Sequence, residues 1–299
     1  MRTIWENDMD RRSFLKSGLG AAAFGAFSAL SSTSRDVLFA AESKKKIPIA
    51  LQVYSVRDYA SKDMRGTLKR IAEIGYKGVE FAGYYGNEAK DIRKWLDEAG
   101  LQAISTHLGV PQLLEGTFEQ TVEFEKTLGN RRLIVAGGLS ASCATDAGNQ
   151  MTAYLFNEIA AKARKVDMQI GFHSHFNDFT DINGTNAWDL FFSRTADDII
   201  AQIDVGNSMH GGADPYAEVA KFPGRGQLLH VKAENEEGKH GACVGGPGDI
   251  VDWPRMFDIS ENIGGVEWYI VEQEDSRDGQ DIFDACAECF ENLKKMGKV

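Results

Sequence analysis

The sequence has few cysteines and prolines and no excess of basic residues, and each shortage disfavours a class of protein. Four cysteines and six prolines occur in 299 residues, and the cysteines have neither zinc-finger spacing nor the density of a disulfide framework. The formal net charge of −11 argues against a nucleic-acid partner, because phosphate backbones are bound by clusters of Lys and Arg. No Gly-x-Gly-x-x-Gly motif opens a helix after an apolar run, which disfavours a dinucleotide-binding fold.

Residues 1–41 lack an apolar run long enough for a good membrane span, yet they have the pattern of an export signal. Arg11 and Arg12 precede a moderately apolar stretch, residues 18–30, that is rich in Gly and Ala. Paired arginines before such a stretch are typical of a twin-arginine signal peptide, and cleavage is expected near Ala41. An amphipathic N-terminal helix is the alternative. We therefore predict a signal peptide over residues 1–41, no stable membrane span after its removal, and a periplasmic or otherwise exported protein.

Eight short apolar runs follow, spaced by about the length of one strand–helix unit. Helical periodicity separates them; Met64, Leu68 and Ile71, for example, share one helix face that ends before Gly75. Because no Pro- or Ser-rich linker interrupts this alternation, residues 42–299 are predicted to be one α/β domain, a (β/α)8 TIM barrel. The runs are residues 47–54, 77–81, 101–107, 133–136, 169–175, 199–204, 228–232 and 267–273.

Polar residues of the metal-ligand type end the last four apolar runs. The carboxyl ends of all strands meet at one face of such a barrel, and that face holds the chemistry. Imidazole and carboxylate groups without cysteine suit Mn²⁺, Fe²⁺, Co²⁺, Zn²⁺ or Mg²⁺. We therefore predict one divalent metal ion at this face. The residues are His173 and His175 in the fifth run, Asp204 at the end of the sixth, His230 and Lys232 in the seventh, and Glu272 in the eighth.

Three other polar positions have weaker support. Glu80 and His107 end the second and third runs, and we expect both to contact substrate, with a buried structural role as the alternative. Gly224-Arg225-Gly226 is the only phosphate-like loop, and it is a weak one, so the sequence does not predict a phosphorylated substrate.

Several short segments, in this order, resemble the xylose isomerase-like barrel superfamily and, more narrowly, its twin-arginine-exported sugar phosphate isomerase/epimerase proteins. They extend over nearly all of residues 42–299. The resemblance implies the barrel fold and a carbohydrate substrate, although one fold hosts many reactions. The segments are residues 51–57, 75–81, 105–107, 171–175, 204–207, 230–232, 244–253 and 271–273.

The resemblance also implies a ligand set for the metal. Family members with epimerase activity hold one divalent ion by a Glu, an Asp, a His and a second Glu from strands five to eight. The last three correspond to Asp204, His230 and Glu272. This chain departs at the strand-five position, where His173 is the best fourth ligand and His175 is the runner-up.

The implied catalytic residues are Glu272, His175 and Lys232. Glu272 or His175 is expected to remove the proton next to a sugar carbonyl, and Lys232 is expected to stabilise the oxyanion that forms. Asp178 stands close to the position where the subfamily often has a Glu, and it is expected to contact substrate.

The sequence therefore predicts a divalent-metal-dependent isomerase or epimerase that acts on a sugar or keto-sugar, with a homodimer as the expected assembly. The missing strand-five glutamate breaks the glutamate pair used for two-base epimerisation, so a lyase or hydratase acting on a 3-keto-sugar or keto-glycoside is a close alternative. A non-catalytic sugar-binding protein is the alternative from another class. An apurinic endonuclease is disfavoured because it needs more metal ligands and a basic track for DNA.

Overall fold

Eight parallel β-strands form the centre of the fold in this computed structural model, which describes residues 46–137, 140–236, 241–277 and 279–299. The strand order in the sheet is β6-β5-β4-β3-β2-β1-β8-β7. A parallel bridge between Asp204, just after β6, and His230 on β7 connects the two edges of the sheet, so the barrel is nearly closed. The strands are β1 (Ile49–Gln52), β2 (Gly78–Phe81), β3 (Gln102–Leu108), β4 (Arg132–Ala136), β5 (Gln169–His173), β6 (Ile200–Gln202), β7 (Leu228–Val231) and β8 (Trp268–Val271).

Helices alternate with these strands and cover the outside of the barrel. Short 3-10 turns follow β1, β3 and β5 at Val53–Val56, Val110–Leu113 and Phe176–Phe179, and a π-helical segment at Ser260–Gly264 follows α10. The α-helices are α1 (Arg57–Ala60), α2 (Met64–Ile74), α3 (Ala89–Ala99), α4 (Phe118–Leu128), α5 (Ser140–Cys143), α6 (Asp146–Arg164), α7 (Ala187–Arg194), α8 (Val205–His210), α9 (Pro215–Lys221), α10 (Trp253–Ile259) and α11 (Ile282–Lys295).

Local signals in the sequence explain where these elements begin and end. The Asp63 carboxylate accepts a hydrogen bond from the backbone N–H of Gly66 and caps the start of α2. Gly100 and Gly129 end α3 and α4 in the left-handed conformation, which lets the chain turn back into the next strand. Each strand overlaps one of the eight predicted apolar runs. The predicted (β/α)8 TIM barrel is therefore confirmed.

The barrel interior has a lower layer that is apolar. Its side chains come from six of the eight strands and form a cluster separate from the core between strands and helices. On β2 and β5 the positions are glycines: a Cβ at Gly78 would lie 2.7 Å from Ile104 Cγ2, and one at Gly171 would lie 2.6 Å from Ile134 Cδ1. Large and small residues therefore fill the layer together. Its apolar members are Ala50, Ile104, Ile134, Ile200, Leu228, Trp268 and Ile270.

The upper layer of the interior, at the carboxyl ends of the strands, is polar. Residues two apart on a strand point to the same side, so several upper positions follow lower ones directly: Gln52 follows Ala50, for example, and His230 follows Leu228. We use the name upper layer for Gln52, Glu80, His107, His173, Gln202, His230 and Glu272, which are all buried except the partly buried His107.

The predicted signal peptide, residues 1–41, lies outside the described residues, and its prediction stays untested. No helix in the part of the chain that the structure describes is long and apolar enough to cross a membrane. All four cysteines lie in that part; they are buried and none forms a disulfide.

Candidate metal and substrate site

A cavity of about 490 Å³ opens above the upper layer. This volume is in the range of small-molecule sites. Its position at the carboxyl ends of the strands is where TIM barrels place their active sites. A larger groove of about 630 Å³ runs between α4 and α6 on the outside of the barrel, but none of the predicted site residues lines it. The cavity is lined by Tyr54, Ala82, His107, Leu108, Ala136, His173, His175, Glu272 and Glu274.

Four potential metal ligands meet at the floor of this cavity. His173, Asp204, His230 and Glu272 each offer one ligand atom, and these atoms lie within 4.8 Å of one another. All four residues are buried. They come from the ends of strands β5 to β8 or directly after them, so the barrel geometry brings together residues that are up to about a hundred positions apart. The four residues are those that the sequence predicted as metal ligands.

The Asp204 carboxylate shows that a cation fits this site. Its Oδ1 atom accepts a hydrogen bond from the backbone N–H of Asn207 at 2.8 Å and caps helix α8. Its Oδ2 atom is buried and has no hydrogen-bond partner. The nearest donor groups, His230 Nδ1 at 3.7 Å and Lys232 Nζ at 3.9 Å, are beyond hydrogen-bonding distance, and a buried carboxylate oxygen without a hydrogen bond is costly. A divalent ion held by two imidazoles and two carboxylates would satisfy this oxygen.

The rings of His173 and His230 each use one nitrogen on the protein and turn the other to the cluster. His230 Nε2 lies 2.6 Å from Glu80 Oε1, while its Nδ1 lies 2.8 Å from Glu272 Oε2 and 3.7 Å from Asp204 Oδ2. His173 Nδ1 lies 3.0 Å from Gln202 Oε1, which leaves its Nε2 for a ligand. Such partners behind a ligand histidine fix the ring orientation.

His107 forms a second possible ligand group with His173 and His230, but its own contacts argue against that use. Its Nδ1 atom lies 3.3 Å from Gln52 Nε2. Its Nε2 atom lies 2.8 Å from Gln202 Oε1 and 2.8 Å from Glu80 Oε1. Both ring nitrogens are therefore engaged in hydrogen bonds. His107 lines the cavity, which agrees with the expectation that it contacts substrate.

Opposite charges in this cluster shift one another's pKa values. Burial raises the pKa of Glu272, but Lys232 and His230 outweigh it and hold that pKa well below its usual range. Burial lowers the pKa of His230, but Glu80, Asp204 and Glu272 outweigh it and raise that pKa well above the usual value. The cationic and anionic groups of this cluster therefore stabilise one another's charged forms.

His175 lies beyond the strand and not on it, which corrects one detail of the sequence analysis. Strand β5 ends at His173, and His175 caps the 3-10 turn Phe176–Phe179. Its side chain lines the cavity, and its Nδ1 atom is buried without a hydrogen-bond partner. The ring centroids of His173 and His175 are 4.9 Å apart. An imidazole at the cavity wall beside the ligand cluster is suited to accept or donate a proton.

Asp178 and Glu80, which are expected to contact substrate, are buried and do not line the cavity. Asp178 is buried and does not line the cavity; its Oδ2 atom accepts the backbone N–H of His175 at 2.7 Å. It therefore shapes the turn that presents His175. Glu80 has no exposed surface and lies beneath the ligand cluster, where its carboxylate is surrounded by hydrogen-bond donors. We assign both residues to the support of the site.

Lys232 is held by an acidic residue that the sequence analysis did not single out. Lys232 Nζ lies 2.6 Å from Glu274 Oε1 and 3.3 Å from Asn207 Oδ1, and it lies 3.9 Å from Asp204 Oδ2. Burial lowers the pKa of Lys232, but Asp204, Glu272 and Glu274 raise it above its usual value. The ammonium therefore neutralises carboxylates next to the cavity, and Glu274 itself lines the cavity.

Sequence reasoning also missed Gln52 and Gln202. Both end strands that are otherwise apolar, and both are fully buried. The sequence signal that could have identified them is an uncharged polar residue at the end of a buried strand, since a buried amide needs hydrogen-bond partners. Those partners, however, are contributed by strands on other sides of the barrel.

Comparisons with known proteins agree with the fold. A solved sugar phosphate isomerase/epimerase from Parabacteroides distasonis ATCC 8503 is 22% identical, with a TM-score of 0.75, and the match covers 86% of this chain and 97% of that chain. A solved L-ribulose 3-epimerase is 14% identical, with a TM-score of 0.62, and the match covers 84% of this chain and 97% of that chain. A probable 3-DHS dehydratase from Bacillus anthracis is 13% identical, with a TM-score of 0.58, and the match covers 83% of this chain and 99% of that chain.

These structural neighbours establish the fold alone, because their identities are low. A comparison of the sequence with curated proteins gave no match. The model of the xylose isomerase-like TIM barrel family, in contrast, matches residues 68–293, which include every strand from β2 to β8. The chain therefore belongs to the xylose isomerase-like TIM barrel family.

Proposed function

We propose that this protein is a divalent-metal-dependent isomerase or epimerase that acts on a small sugar or keto-sugar by removing a proton next to a carbonyl. The observation that carries the proposal is the convergence of His173, Asp204, His230 and Glu272 within 4.8 Å at the floor of the cavity. The structural neighbours named as a sugar phosphate isomerase/epimerase and an L-ribulose 3-epimerase support the same substrate class.

The four ligand-type residues would hold the ion at the floor of the cavity. When bound, a divalent ion polarises a carbonyl and stabilises the negative charge that develops on its oxygen, by several kcal/mol. The identity of the ion is left open by the donor set, since imidazole and carboxylate suit Mn²⁺, Fe²⁺, Co²⁺, Zn²⁺ and Mg²⁺. The cavity above the ion is lined by both polar and apolar groups, as a sugar ring requires.

His175 is the better placed of the two expected bases. Glu272 accepts a hydrogen bond from His230, and its pKa, raised by burial but lowered further by Lys232 and His230, lies well below the usual range. A carboxylate with such a low pKa holds a proton weakly, and Glu272 is also needed as a ligand. His175 lines the cavity and is not one of the four ligand-type residues, so we assign proton removal to it.

Lys232 is proposed to act through its charge. Its ammonium lies among Asp204, Glu272 and Glu274, where it offsets the negative charge that would otherwise repel an enediolate-like substrate oxygen. Direct contact with that oxygen, as expected from the sequence, requires Lys232 to leave its 2.6 Å bond with Glu274.

Elimination is the second candidate reaction. No glutamate supplies the strand-five ligand position, where His173 stands, so the two-glutamate arrangement for epimerisation is incomplete. Removal of the same proton gives an enolate, whose electrons can form a C=C bond as the β-hydroxyl is protonated and leaves as water; this is the reaction of a lyase or hydratase acting on a 3-keto-sugar or keto-glycoside. One structural neighbour with the same fold is named as a probable dehydratase, a class of enzyme that catalyses elimination.

A phosphate group on the substrate is not part of the proposal. Arg225, in the only phosphate-like loop, is buried, and its guanidinium donates to the carbonyl oxygens of Ile199 and Phe192 and to Thr195 Oγ1. All three of its guanidinium nitrogens are therefore already bonded to the protein at that place. Export by the twin-arginine route and assembly as a homodimer are proposed on the sequence alone.

Incubation of the metal-loaded protein with keto-sugars in D₂O tests the proposal. Epimerisation or isomerisation puts deuterium on the carbon that gains the proton, whereas elimination gives an unsaturated product, and mass spectrometry distinguishes them. Tight sugar binding without turnover and without dependence on metal would instead favour a sugar-binding protein. The base is tested by Glu272→Gln: full activity with metal bound excludes Glu272 as the base, and the matched His175→Gln is expected to lose turnover while keeping the metal.

A further inference from the structure

A chain of hydrogen bonds beneath the ligand cluster starts from a donor whose identity is certain. The backbone N–H of Tyr54 donates to the side chain of Gln52 at 3.0 Å. The amide atom that faces this N–H must therefore be oxygen, because a second donor there would be repelled. The other amide atom of Gln52 is then the nitrogen, and it donates to Glu80 Oε1 at 2.8 Å.

The orientation of Gln52 decides the protonation of the next ring. The Gln52 nitrogen also lies 3.3 Å from His107 Nδ1, so Nδ1 faces a donor and carries no hydrogen. His107 Nε2 is then the protonated nitrogen, and it lies 2.8 Å from the side-chain amide of Gln202. The Gln202 atom at this place must accept, so it is the oxygen. On its other side Gln202 donates through nitrogen to Glu80 Oε2 at 2.7 Å, which agrees with that assignment.

Glu80 and Gln202 also determine which ring nitrogen each ligand histidine turns to the metal site. Gln202 Oε1 lies 3.0 Å from His173 Nδ1, so Nδ1 carries the hydrogen and Nε2 has its lone pair free. Glu80 Oε1 lies 2.6 Å from His230 Nε2, so Nε2 carries a hydrogen and Nδ1 is the nitrogen turned to Asp204 and Glu272. Glu80 and Gln202 are fully buried, and they are separated by 122 positions in the sequence.

We propose that Glu80 and Gln202 are positioning residues that fix which ring nitrogen His173 and His230 turn to the metal site. The inference rests on the proposed function, since it assumes that these two rings hold an ion. Neither residue lines the cavity, so both act through the histidines and not on the substrate. Groups that orient ligand histidines in this way typically strengthen metal binding by roughly 10- to 100-fold.

The first test measures metal affinity by isothermal titration of the metal-free protein with Mn²⁺ and with Zn²⁺. Gln202→Met, which keeps the length of the side chain but has no hydrogen-bonding amide, and Glu80→Gln are each expected to bind roughly 10- to 100-fold more weakly than wild type. Glu125→Gln is the matched control, because Glu125 is also a buried glutamate but bonds to Tyr84 and Asn130 on the outside of the barrel. Its metal affinity is expected to equal that of wild type.

The second test observes the ring directly, with no metal present. The sequence has only six histidines, so multiple-bond ¹H–¹⁵N spectra of protein labelled at histidine are simple, and the His173 signals are identified by their loss in His173→Gln. Wild type is expected to show His173 protonated at Nδ1. Gln202→Met is expected to show a mixture of tautomers, and Gln202→Glu, which keeps an acceptor, is expected to restore the Nδ1 form.

Two results would overturn the inference: wild-type metal affinity in folded Gln202→Met and Glu80→Gln, or an unchanged His173 tautomer in Gln202→Met. If Gln202→Met does not fold, as thermal unfolding would reveal, Glu80→Gln decides through its metal affinity. A wild type that binds neither ion contradicts the proposed function, and the tautomer of His173 in that metal-free sample still decides whether Gln202 fixes the ring.

Discussion

The lower and upper layers of the barrel interior are built on the same strands, two residues apart, yet their chemistry is opposite. Leu228 and His230 are both fully buried on β7, separated by about 6.6 Å along the strand. Leu228 belongs to an apolar cluster that makes no hydrogen bonds through side chains, whereas His230 bonds to two carboxylates from other strands. Two residues along one strand therefore separate a side chain that packs in the apolar core from one that belongs to the polar site.

This difference has a physical basis. The lower layer gains its stability from excluding water and from close packing, which glycines at 78 and 171 make possible beside bulky isoleucines. The upper layer concentrates charges in the same low-dielectric interior, which is unfavourable unless each charge has a partner. The Asp204 Oδ2 atom lies 3.7 Å from His230 Nδ1 and 3.9 Å from Lys232 Nζ but accepts no hydrogen bond, so its pairing is incomplete. Changes in the lower layer should therefore affect stability, and changes in the upper layer should affect the proposed metal and activity.

The largest effect is expected from Asp204→Asn, which breaks the upper layer alone. The substitution keeps the size of the side chain but removes its negative charge, so metal affinity should fall below detection. Loss of several kcal/mol of stabilisation by the ion corresponds to roughly a 1,000-fold or greater loss in kcat/KM. Metal analysis together with turnover checks this, and a variant that keeps both metal and activity removes Asp204 from the site.

His175→Gln separates catalysis from metal binding within the cavity. His175 lines the cavity but is not in the four-ligand group, so we expect kcat to fall by roughly 10²- to 10⁴-fold, as for loss of a general base. Bound metal should stay at the wild-type level. Parallel loss of metal would show that His175, the runner-up for the strand-five position, is a ligand.

Leu228→Ala tests the lower layer. Leu228 is fully buried, and truncation should leave a cavity that lowers the free energy of unfolding by about 2–5 kcal/mol. Because the change lies below the polar network, metal affinity per folded molecule should stay close to wild type. Chemical denaturation and metal titration of the same preparation check both statements, and a large loss of affinity would mean that the two layers are coupled.

A smaller effect with a defined pH dependence is expected at Glu125, outside the barrel interior. Burial raises the pKa of Glu125 to about 7, although Asn130 and Tyr84 partly counteract it. A raised pKa means that the folded state binds the proton more tightly, so this stabilisation is present below pH 4.5 and is lost as the pH rises through 7. The shift corresponds to about 3 kcal/mol.

Comparison of wild type with Glu125→Gln isolates this contribution from those of other acids. The difference in the free energy of unfolding between the two proteins should move in favour of the variant as the pH rises from 4.5 to 8. Urea denaturation across that range measures it. A difference that does not change with pH would show that Glu125 ionises normally in the folded protein.

The sequence predicted the features that depend on local pattern. Apolar runs separated by amphipathic helices identified all eight strands, and glycines such as Gly100 and Gly129 indicated where helices turn back into strands. The four ligand-type residues were also predicted, because residues that follow strand ends must meet at one face of a barrel, and resemblance to a family supplied the matching positions.

The sequence could not predict contacts across the barrel. Glu80 and Gln202 are 122 positions apart and bond to each other only because β2 and β6 lie on different sides of one closed sheet. The burial of Glu80 was also beyond prediction, since a strand-end carboxylate alone does not show whether it points up to the cavity or inward beneath it. The position of Asp178 has a local reason: its carboxylate bonds to the backbone three residues earlier.

Metal content measured by mass spectrometry tests the central claim most directly, on wild type and on His230→Ala, with His210→Ala as the matched control. His210 ends α8 outside the ligand group and lies 3.8 Å from Glu234. The account predicts close to one Mn, Zn, Co, Fe or Mg ion per chain in wild type and His210→Ala, and loss of that ion in His230→Ala. A wild type that takes up no metal even after reconstitution would contradict the account and favour a sugar-binding protein.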